Sequence, residues 1–258
     1  NFVAFARILL AFIIFIPFLR LKNIEAKFAG KLVLFGMFQY GVMYITYIYS
    51  FQFLAAHYVA IFTVFTPLYI TLLNDILKRR FHPLFLFSAL LAVVGMGIVV
   101  MVKIGQGDFL AGFLLVQVSN ICFACGQVLY KREMNRRKGI KDRHIFALLY
   151  FGALVITAIG AGITTEWKNL SLDTSQLLTL LYLGVLASGI CFFLWNYGAR
   201  KTNIGALSVF NNIKVPLAVT CSILFFHEKG DIPRLILGSG IIIAALFINE
   251  FILKKSEK

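Results

Sequence analysis

Nine apolar runs of about twenty residues, separated by short polar breaks, are the feature that most constrains how this chain folds. As a helix, about 20 predominantly apolar residues cross the hydrocarbon core of a bilayer. The runs therefore predict an all-α polytopic membrane protein with nine visible transmembrane helices. We expect the helices at residues 1–19, 32–54, 58–77, 83–102, 109–130, 145–163, 177–198, 206–226 and 233–252.

Composition distinguishes this chain from a soluble domain with one large core. Its 258 residues are 60% hydrophobic and 14% charged, whereas about 25% of the residues in ordinary soluble domains are charged. A formal net charge of +14 would suggest nucleic-acid binding in a soluble protein. Here nearly all Lys and Arg lie in the breaks between the apolar runs, which is typical of a membrane protein. The expected partners are therefore the lipid bilayer and a small molecule, and no nucleic acid.

The distribution of Lys and Arg also predicts the orientation in the membrane. The breaks after the first, third, fifth and seventh runs, together with the C-terminal tail, hold nineteen of these residues. The other breaks hold four, Lys103, Lys168, Lys229 and Arg234. Because cytoplasmic loops are enriched in positive charge, we expect the C-terminus in the cytoplasm. Nine helices then place Asn1 on the outer side, and we expect one further helix ahead of it, for ten in total.

Two halves of the sequence resemble each other weakly. A proline-bearing helix with Pro67 is followed by a polar turn and a glycine-containing helix that begins at Pro83, and the same order recurs from Pro216. We expect two repeats of five helices, over residues 1–103, where the first helix is missing, and over residues 109–253. Two repeats with an odd number of helices have opposite orientations, and inverted-repeat transporters bind substrate near the bilayer midplane.

Lys214 lies near the middle of the eighth run, where a charge is costly. A charged residue at the centre of a spanning helix costs about 2.5–3.5 kcal/mol on insertion scales, so it normally faces protein, water or an anion. Lys214 is therefore a candidate anchor for an anionic substrate, and the structural alternative is a lysine that snorkels or pairs with a neighbouring carboxylate. Arg7, near the outer end of its run, is expected to be an orientation or headgroup anchor.

Other polar side chains share helix faces, because residues three or four apart lie on one face. Gln117 and Asn120 form one pair, and Asn211 with Lys214 forms another. The remaining candidates for substrate binding lie in the second and seventh runs and are Tyr40, Tyr44, Tyr47, Trp195 and Asn196. Buried amides and phenols need partners, so we expect these faces to line a common cavity. The alternatives are helix packing, interhelical hydrogen bonding and, for Trp195, an interfacial aromatic belt.

The sequence contains no arrangement typical of a catalytic or metal site, and no cofactor is expected. The four histidines lie at helix ends or in loops and do not cluster by spacing. Cys122 and Cys125 lack the second pair of ligands that a zinc site requires. A membrane enzyme and a non-transporting scaffold are the alternatives from other functional classes.

Four short patterns are R-I-L-L-A from Arg7, T-P-L-Y-I-T-L from Thr66, W-N-Y-G-A from Trp195, and Pro216 placed twelve residues before Glu228. They resemble the EamA-type transporters of the drug/metabolite transporter superfamily. The usual plan of that family is ten helices in two five-helix repeats. The resemblance therefore implies the same fold as the helix count and the internal repeat.

Six further patterns are G-V-M-Y from Gly41, F-S-A-L-L-A-V from Phe87, L-L-V-Q-V-S-N-I from Leu114, Y-K-R from Tyr130, L-G-V-L-A-S-G-I from Leu183 and N-N-I-K-V-P from Asn211. Within the superfamily these are most similar to the bacterial high-affinity biotin uptake transporters. Where that pattern has a histidine before Val-Pro, this chain has Lys214. The difference replaces a titratable ring with a nearly permanent cation.

The resemblance implies a secondary transporter that takes up a small carboxylated metabolite, with biotin as the first expectation. S-adenosylmethionine, amino acids or another metabolite, imported or exported, are the alternatives. Lys214 would attract the carboxylate, the amides of Asn211, Asn120 and Gln117 would form hydrogen bonds, and the tyrosines would cover the ring system. The two halves would rock about this site to expose it to each side in turn. The sequence does not distinguish a monomer from a homodimer.

Overall fold

The computed structural model describes residues 1–22, 24–54, 58–59, 62–79, 109–137, 139–170 and 172–213, with separate positions between 81 and 94 and between 217 and 248. These residues form helices, turns and short connections, and no strand occurs among them. The all-α prediction is confirmed for this part of the chain. Most of the predicted helix at 83–102, part of the predicted helix at 233–252 and most of the second half of 206–226 lie outside the described residues.

The longer helices are numbered here in chain order. They are α1 (Phe2–Phe15), α2 (Ala26–Ser50), α3 (Thr66–Lys78), α4 (Phe109–Asn135), α5 (Phe146–Thr164), α6 (Thr174–Lys201) and α7 (Ile204–Ile213). Among the described residues, four helices are long and apolar enough to cross a bilayer, namely α2, α4, α5 and α6. The chain therefore has the multi-pass character that the apolar runs predict.

Helix boundaries depart most from prediction where polar residues continue a helix beyond its apolar run. Helix α5 begins and ends within one residue of the predicted 145–163. Helix α4 continues through a basic segment to Asn135 instead of ending at Tyr130. Helix α6 begins before the predicted run because Asp173 caps it: the Gln176 N–H donates to Asp173 Oδ1 at 2.7 Å, and the Asp173 N–H donates back to Gln176 Oε1 at 3.2 Å.

The chain divides into two compact units. Unit 1 consists of Asn1–Tyr49 and Cys125–Lys201, and unit 2 consists of Ser50–Ala124 and Thr202–Lys258. Unit 1 therefore contains α1, α5, α6 and nearly all of α2. Unit 2 contains α3, α7 and the first part of α4.

Helix α5 is the centre of unit 1, and α1 and α2 both pack on it. Gly36 of α2 lies against the backbone of Leu149, and Gly152 of α5 lies against the backbone of Val33. A methyl group at either glycine would overlap main-chain atoms of the other helix. Small residues permit this kind of close backbone approach between membrane helices. Both positions therefore fix how α2 and α5 cross.

An aromatic cluster fills the space between α1, α5 and α6 in unit 1. The rings of Phe15, Phe146, Tyr150 and Phe193 have centroids 5.1–5.6 Å apart in five of their pairings. Aromatic pairs at these separations stabilise a core beyond the area they bury. The cluster holds the three helices in a fixed arrangement next to the polar residues described below.

Unit 2 has its own apolar contacts. Phe62, just before α3, packs edge-on against Phe109 and Phe113 of α4, with ring centroids 5.3 and 5.0 Å away. Val64 and Val209 of α7 are buried in a second apolar cluster. These contacts bring the start of α3 against both α4 and α7.

Candidate functional site

A buried polar cluster in unit 1 is centred on Ser188 of α6. Ser188 Oγ accepts a hydrogen bond from Arg7 Nε at 3.0 Å and lies 2.9 Å from the Tyr44 hydroxyl. The Tyr150 hydroxyl is 2.6 Å from the Ser188 carbonyl and 2.8 Å from the Gly189 carbonyl, and can donate its proton to either. Four helices, α1, α2, α5 and α6, each contribute a polar side chain, so all four meet around one serine.

Ser188 lies in a π-helical segment of α6, Tyr182–Cys191. A π-helix has i→i+5 hydrogen bonds, and such segments occur frequently at functional sites. Helix α2 has a π-helical segment of its own, Met37–Val42, which contains Gln39 and Tyr40. The two departures from regular α-helix therefore lie in the same helices as the polar cluster of unit 1.

Arg7 belongs to this cluster, and its side chain contacts protein groups. Its guanidinium carbon lies 4.7 Å from the centre of the Tyr44 ring, in addition to the hydrogen bond with Ser188. Residues Ala4, Ile8 and Ala11 of the same helix are buried. Spacings of three and four residues place Arg7 on their face, and this was the signal in the sequence that could have located it.

Tyr40 and Asn196 form the second half of the cluster. Gln39 Nε2 donates to Asn196 Oδ1 at 3.1 Å, and Asn196 Nδ2 donates to the Tyr40 hydroxyl. The Tyr40 ring stacks on Phe192 and Tyr150, with centroids 5.0 and 5.6 Å away. Gln39, Tyr40 and Asn196 are all fully buried. Tyr47, one turn beyond Tyr44, is half-buried.

Among the buried polar atoms of unit 1 that have no hydrogen-bond partner in the described part of the chain, two lie in α2 and α6. They are Gln39 Oε1, an acceptor, and Trp195 Nε1, whose N–H is a donor. Unpartnered buried polar atoms are rare in folded proteins, and each requires an explanation such as a ligand or a water. A tryptophan of an interfacial aromatic belt presents its N–H to headgroups, whereas this nitrogen is buried.

Unit 2 contains a different polar cluster, built on Gln117 and Asn120 of α4. Asn120 Nδ2 donates to the Phe62 carbonyl at 2.7 Å and to Gln117 Oε1 at 3.2 Å. Gln117 Oε1 also accepts from the Tyr69 hydroxyl at 3.0 Å, and Asn120 Oδ1 accepts from Thr66 Oγ1 at 3.3 Å. The two amides share a face, as the spacing predicts, and they join α4 to α3.

The predicted pair of Asn211 and Lys214 is only half described. Asn211 is buried in α7, and its Nδ2 donates to the Leu207 carbonyl of the same helix at 2.8 Å. The adjacent Asn212 donates from Nδ2 to the Val64 carbonyl at 3.2 Å. Lys214 and Pro216 lie outside the described residues.

Comparison with known proteins identifies the family of this chain. The sequence profile of the EamA-like transporter family matches residues 1–101 and 110–250. This chain belongs to the EamA-like transporter family. The match covers well over half of the chain, so the resemblance noted in the sequence motifs is confirmed.

Several curated proteins resemble this EamA-like transporter over nearly its whole length. Proteins named biotin transporter from Escherichia coli strain K12 and Salmonella typhimurium strain LT2 are 39% and 38% identical to it, over 96% of this chain and 83% of theirs. A probable biotin transporter from Pseudomonas aeruginosa is 36% identical over 96% of this chain and 87% of its own. A crystal structure with 13% sequence identity superposes with a TM-score of 0.80, covers 97% of this chain and 88% of its own, and shows a shared fold.

Membership of this family indicates that the activity is transport and not catalysis. The polar clusters of both units are therefore considered as contacts for a transported molecule. No group of three or more His, Cys, Asp or Glu side chains that could hold a metal ion occurs among the described residues.

The EamA-like transporter has a further polar cluster at the loop that connects α4 and α5. Asp142 is buried and accepts from the Tyr130 hydroxyl at 2.6 Å and from Arg200 at 2.7 Å. Lys131 Nζ donates to the Ala199 carbonyl at 2.6 Å. These contacts join the ends of α4 and α6 to the loop. A cavity of about 670 Å³ adjoins them, lined by Asn135, Ile140, Lys141, Asp142, Arg143, Phe193, Tyr197, Arg200 and Lys201.

Sequence reasoning did not select four residues of the unit 1 cluster. Gln39, Ser188 and Tyr150 are single polar residues in apolar runs, and Arg7 was assigned to the interface. A single serine or tyrosine in a spanning helix is common. The spacing of these residues in the sequence therefore did not indicate a binding site. Only the packing of four helices brings them together.

Proposed function

We propose that this chain is a secondary transporter that takes up biotin across the bacterial inner membrane by alternating access. The observation behind the proposal is the similarity to proteins named biotin transporter, at 38–39% identity over 96% of this chain. Similarity at this level and coverage makes a shared substrate the simplest expectation. The C-terminus would lie in the cytoplasm, as the distribution of Lys and Arg predicts.

The proposed architecture is nine spanning helices in two inverted repeats, over residues 1–103 and 109–253. The two ranges that match the family, 1–101 and 110–250, support this division. In transporters of this type the substrate binds near the midplane where the repeats meet, and alternating access arises as one repeat moves against the other.

The proposed binding residues are those that the sequence predicts, Lys214, Asn211, Asn120, Gln117, Tyr40, Tyr44, Tyr47, Trp195 and Asn196. Biotin has a carboxylate, a ureido group that both donates and accepts hydrogen bonds, and a compact ring system. Lys214 would attract the carboxylate, the amides would bind polar atoms, and the tyrosines would cover the rings.

The unpartnered atoms of unit 1 support this assignment. Gln39 Oε1 can accept a hydrogen bond from a ureido N–H, and Trp195 Nε1 can donate to a ureido carbonyl. A ligand that offers both a donor and an acceptor would satisfy both atoms. The hydrogen bond between Gln39 and Asn196 keeps the Gln39 amide in a fixed orientation.

Uptake of radiolabelled biotin by cells that express the full-length protein tests the proposal. The cells must lack their own biotin uptake, and unlabelled biotin, S-adenosylmethionine and amino acids are supplied as competitors. We expect uptake above the empty-vector control, with unlabelled biotin as the only effective competitor. Equal competition by S-adenosylmethionine or an amino acid would assign the alternative substrate. No biotin uptake in the presence of correctly inserted protein would refute the proposal.

A further inference from the structure

Arg7 is a cation inside an apolar helix, and the membrane makes such a charge expensive. It is the sixth residue of α1, and it is half-buried. Arginine within a spanning segment almost always faces the protein interior or a water-filled cavity, and it marks substrate or ion pathways by default. The orientation of Arg7 toward Ser188 and Tyr44 fits that rule.

Arg7 has no carboxylate counter-ion among the described residues. The ion pairs of unit 1 join Glu133, Glu25 and Asp142 to Lys31, Arg136, Arg137 and Arg200, all near the loop that follows α4. None of them includes Arg7. A partly buried charge without a compensating charge is unfavourable, which gives a bound anion a favourable interaction at this point.

Ser188 and Tyr44 use only part of the donor capacity of the Arg7 guanidinium, which has five N–H donors. Ser188 takes the Nε proton, and the Tyr44 ring covers a face. The Tyr44 hydroxyl also hydrogen-bonds Arg7, and the guanidinium donors that remain can bind a carboxylate with two parallel hydrogen bonds. Ser188 and Tyr44 are themselves buried, so the guanidinium has a fixed orientation.

We infer that Arg7 binds the carboxylate of the transported molecule, with Ser188 and Tyr44 as positioning residues. This inference rests on the proposed function and adds to it, because the sequence-based hypothesis assigns the carboxylate to Lys214 alone. An arginine that binds a carboxylate through two parallel hydrogen bonds discriminates between an acid and its neutral amide. The transporter should therefore discriminate strongly between biotin and biotinamide.

The inference is tested by the uptake of labelled biotin with unlabelled biotin or biotinamide as competitor. We expect Arg7→Gln to raise KM for biotin by about thirtyfold or more, because removal of one partner of a buried charge pair costs about 2–5 kcal/mol. The preference for biotin over biotinamide should disappear in the same variant. Ser188→Ala should raise KM less and weaken the preference only partly.

Two further variants keep the test decisive. Arg20→Gln removes an exposed arginine after α1 and should have wild-type KM and preference. If Arg7→Gln fails to accumulate in the membrane, Arg7→Lys retains the charge without the two parallel hydrogen bonds, and its preference for biotin should fall at least fivefold. Wild-type KM and preference in an inserted Arg7 variant would overturn the inference alone. Absence of biotin uptake by the wild-type protein would overturn the proposed function, and the inference with it.

Discussion

The polar clusters of the two units differ in what they leave available to a ligand. In unit 2 the amides of Gln117 and Asn120 bind each other, Thr66, Tyr69 and a main-chain carbonyl. In unit 1 the cluster contains a cation without a described carboxylate, and Gln39 Oε1 and Trp195 Nε1 are buried without a described partner. Unit 2 has one such atom, Asn212 Oδ1, outside its amide cluster.

This difference separates two roles that a polar residue can have in a membrane helix. An interhelical hydrogen bond satisfies a polar group and contributes roughly 0.6 kcal/mol on average to association. An unsatisfied group has a cost that a ligand can remove. The sequence assigned both clusters to substrate binding. The contacts favour the cluster of unit 1 as the ligand site.

Lys214→Ala gives the largest expected effect. It tests whether a charged residue of unit 2 binds the substrate carboxylate. The amide cluster of unit 2 contains no charged side chain, and Lys214 is the cation that our proposal assigns to the second repeat. We expect radiolabelled biotin uptake to fall about a hundredfold, because a buried hydrogen-bonded charge pair loses about 2–5 kcal/mol when one partner is truncated. Abundance in the membrane should not change.

Lys168→Ala is the matched control for that variant, because Lys168 is exposed beyond the end of α5. Its uptake should equal that of the wild-type protein. If Lys214→Ala also transports normally, the carboxylate is not bound by the second repeat.

Alanine at Asn196 and at Asn120 compares one buried amide from each unit directly. Asn196→Ala leaves both Gln39 Nε2 and the Tyr40 hydroxyl without their hydrogen bonds, so we expect KM for biotin to rise about tenfold. Asn120→Ala should raise KM about threefold, since its bonds mainly join α3 to α4. Both variants should lower the melting temperature of the purified protein. A larger KM effect at Asn120 than at Asn196 would reverse the comparison.

Trp195→Phe removes one N–H donor and keeps an aromatic ring. One hydrogen bond contributes about 1 kcal/mol, so KM for biotin should rise about fivefold with little change in thermal stability. Trp167→Phe is the control, because that indole is 48% exposed and packs against the rings of Phe2 and Phe5. Equal KM values for the two variants would show that the Trp195 N–H does not contact the substrate.

Tyr69→Phe has the smallest expected effect. It removes the hydrogen bond from the Tyr69 hydroxyl to Gln117 Oε1, which still accepts from Asn120. Because this bond belongs to the closed cluster of unit 2, we expect less than about 1 kcal/mol of lost stability and KM within about twofold of wild type. A tenfold rise in KM would show that the cluster of unit 2 binds substrate directly.

Hydrophobic length predicted the limits of α5 well, and it failed where long-range contacts decide a boundary. Helix α5 begins at Phe146 and ends at Thr164, and both limits agree with the prediction to within one residue. Helix α4 extends into the basic segment because Glu133 pairs with Arg137 one turn later and with Lys31 of α2. The sequence shows the i, i+4 pair, but the contact with Lys31 requires the packed structure.

The candidate site was predictable where side chains share a helix face and unpredictable where four helices meet. The spacing of Gln117 and Asn120 correctly predicts that their side chains meet. The position of Arg7 near the start of its run suggested the interface, and a count of residues cannot show that Ser188 and Tyr44 lie opposite. The two π-helical segments have no signal in hydrophobic periodicity, because they change the register locally.

Counterflow in proteoliposomes tests most directly whether this chain is a carrier for biotin. Purified protein is reconstituted, the vesicles are loaded with millimolar unlabelled biotin, and trace labelled biotin is added outside. An alternating-access carrier exchanges the two pools, so we expect the label to accumulate transiently above its equilibrium level, with no coupling ion required. Label that never exceeds the level in protein-free vesicles, from protein that is folded and inserted, would contradict the account.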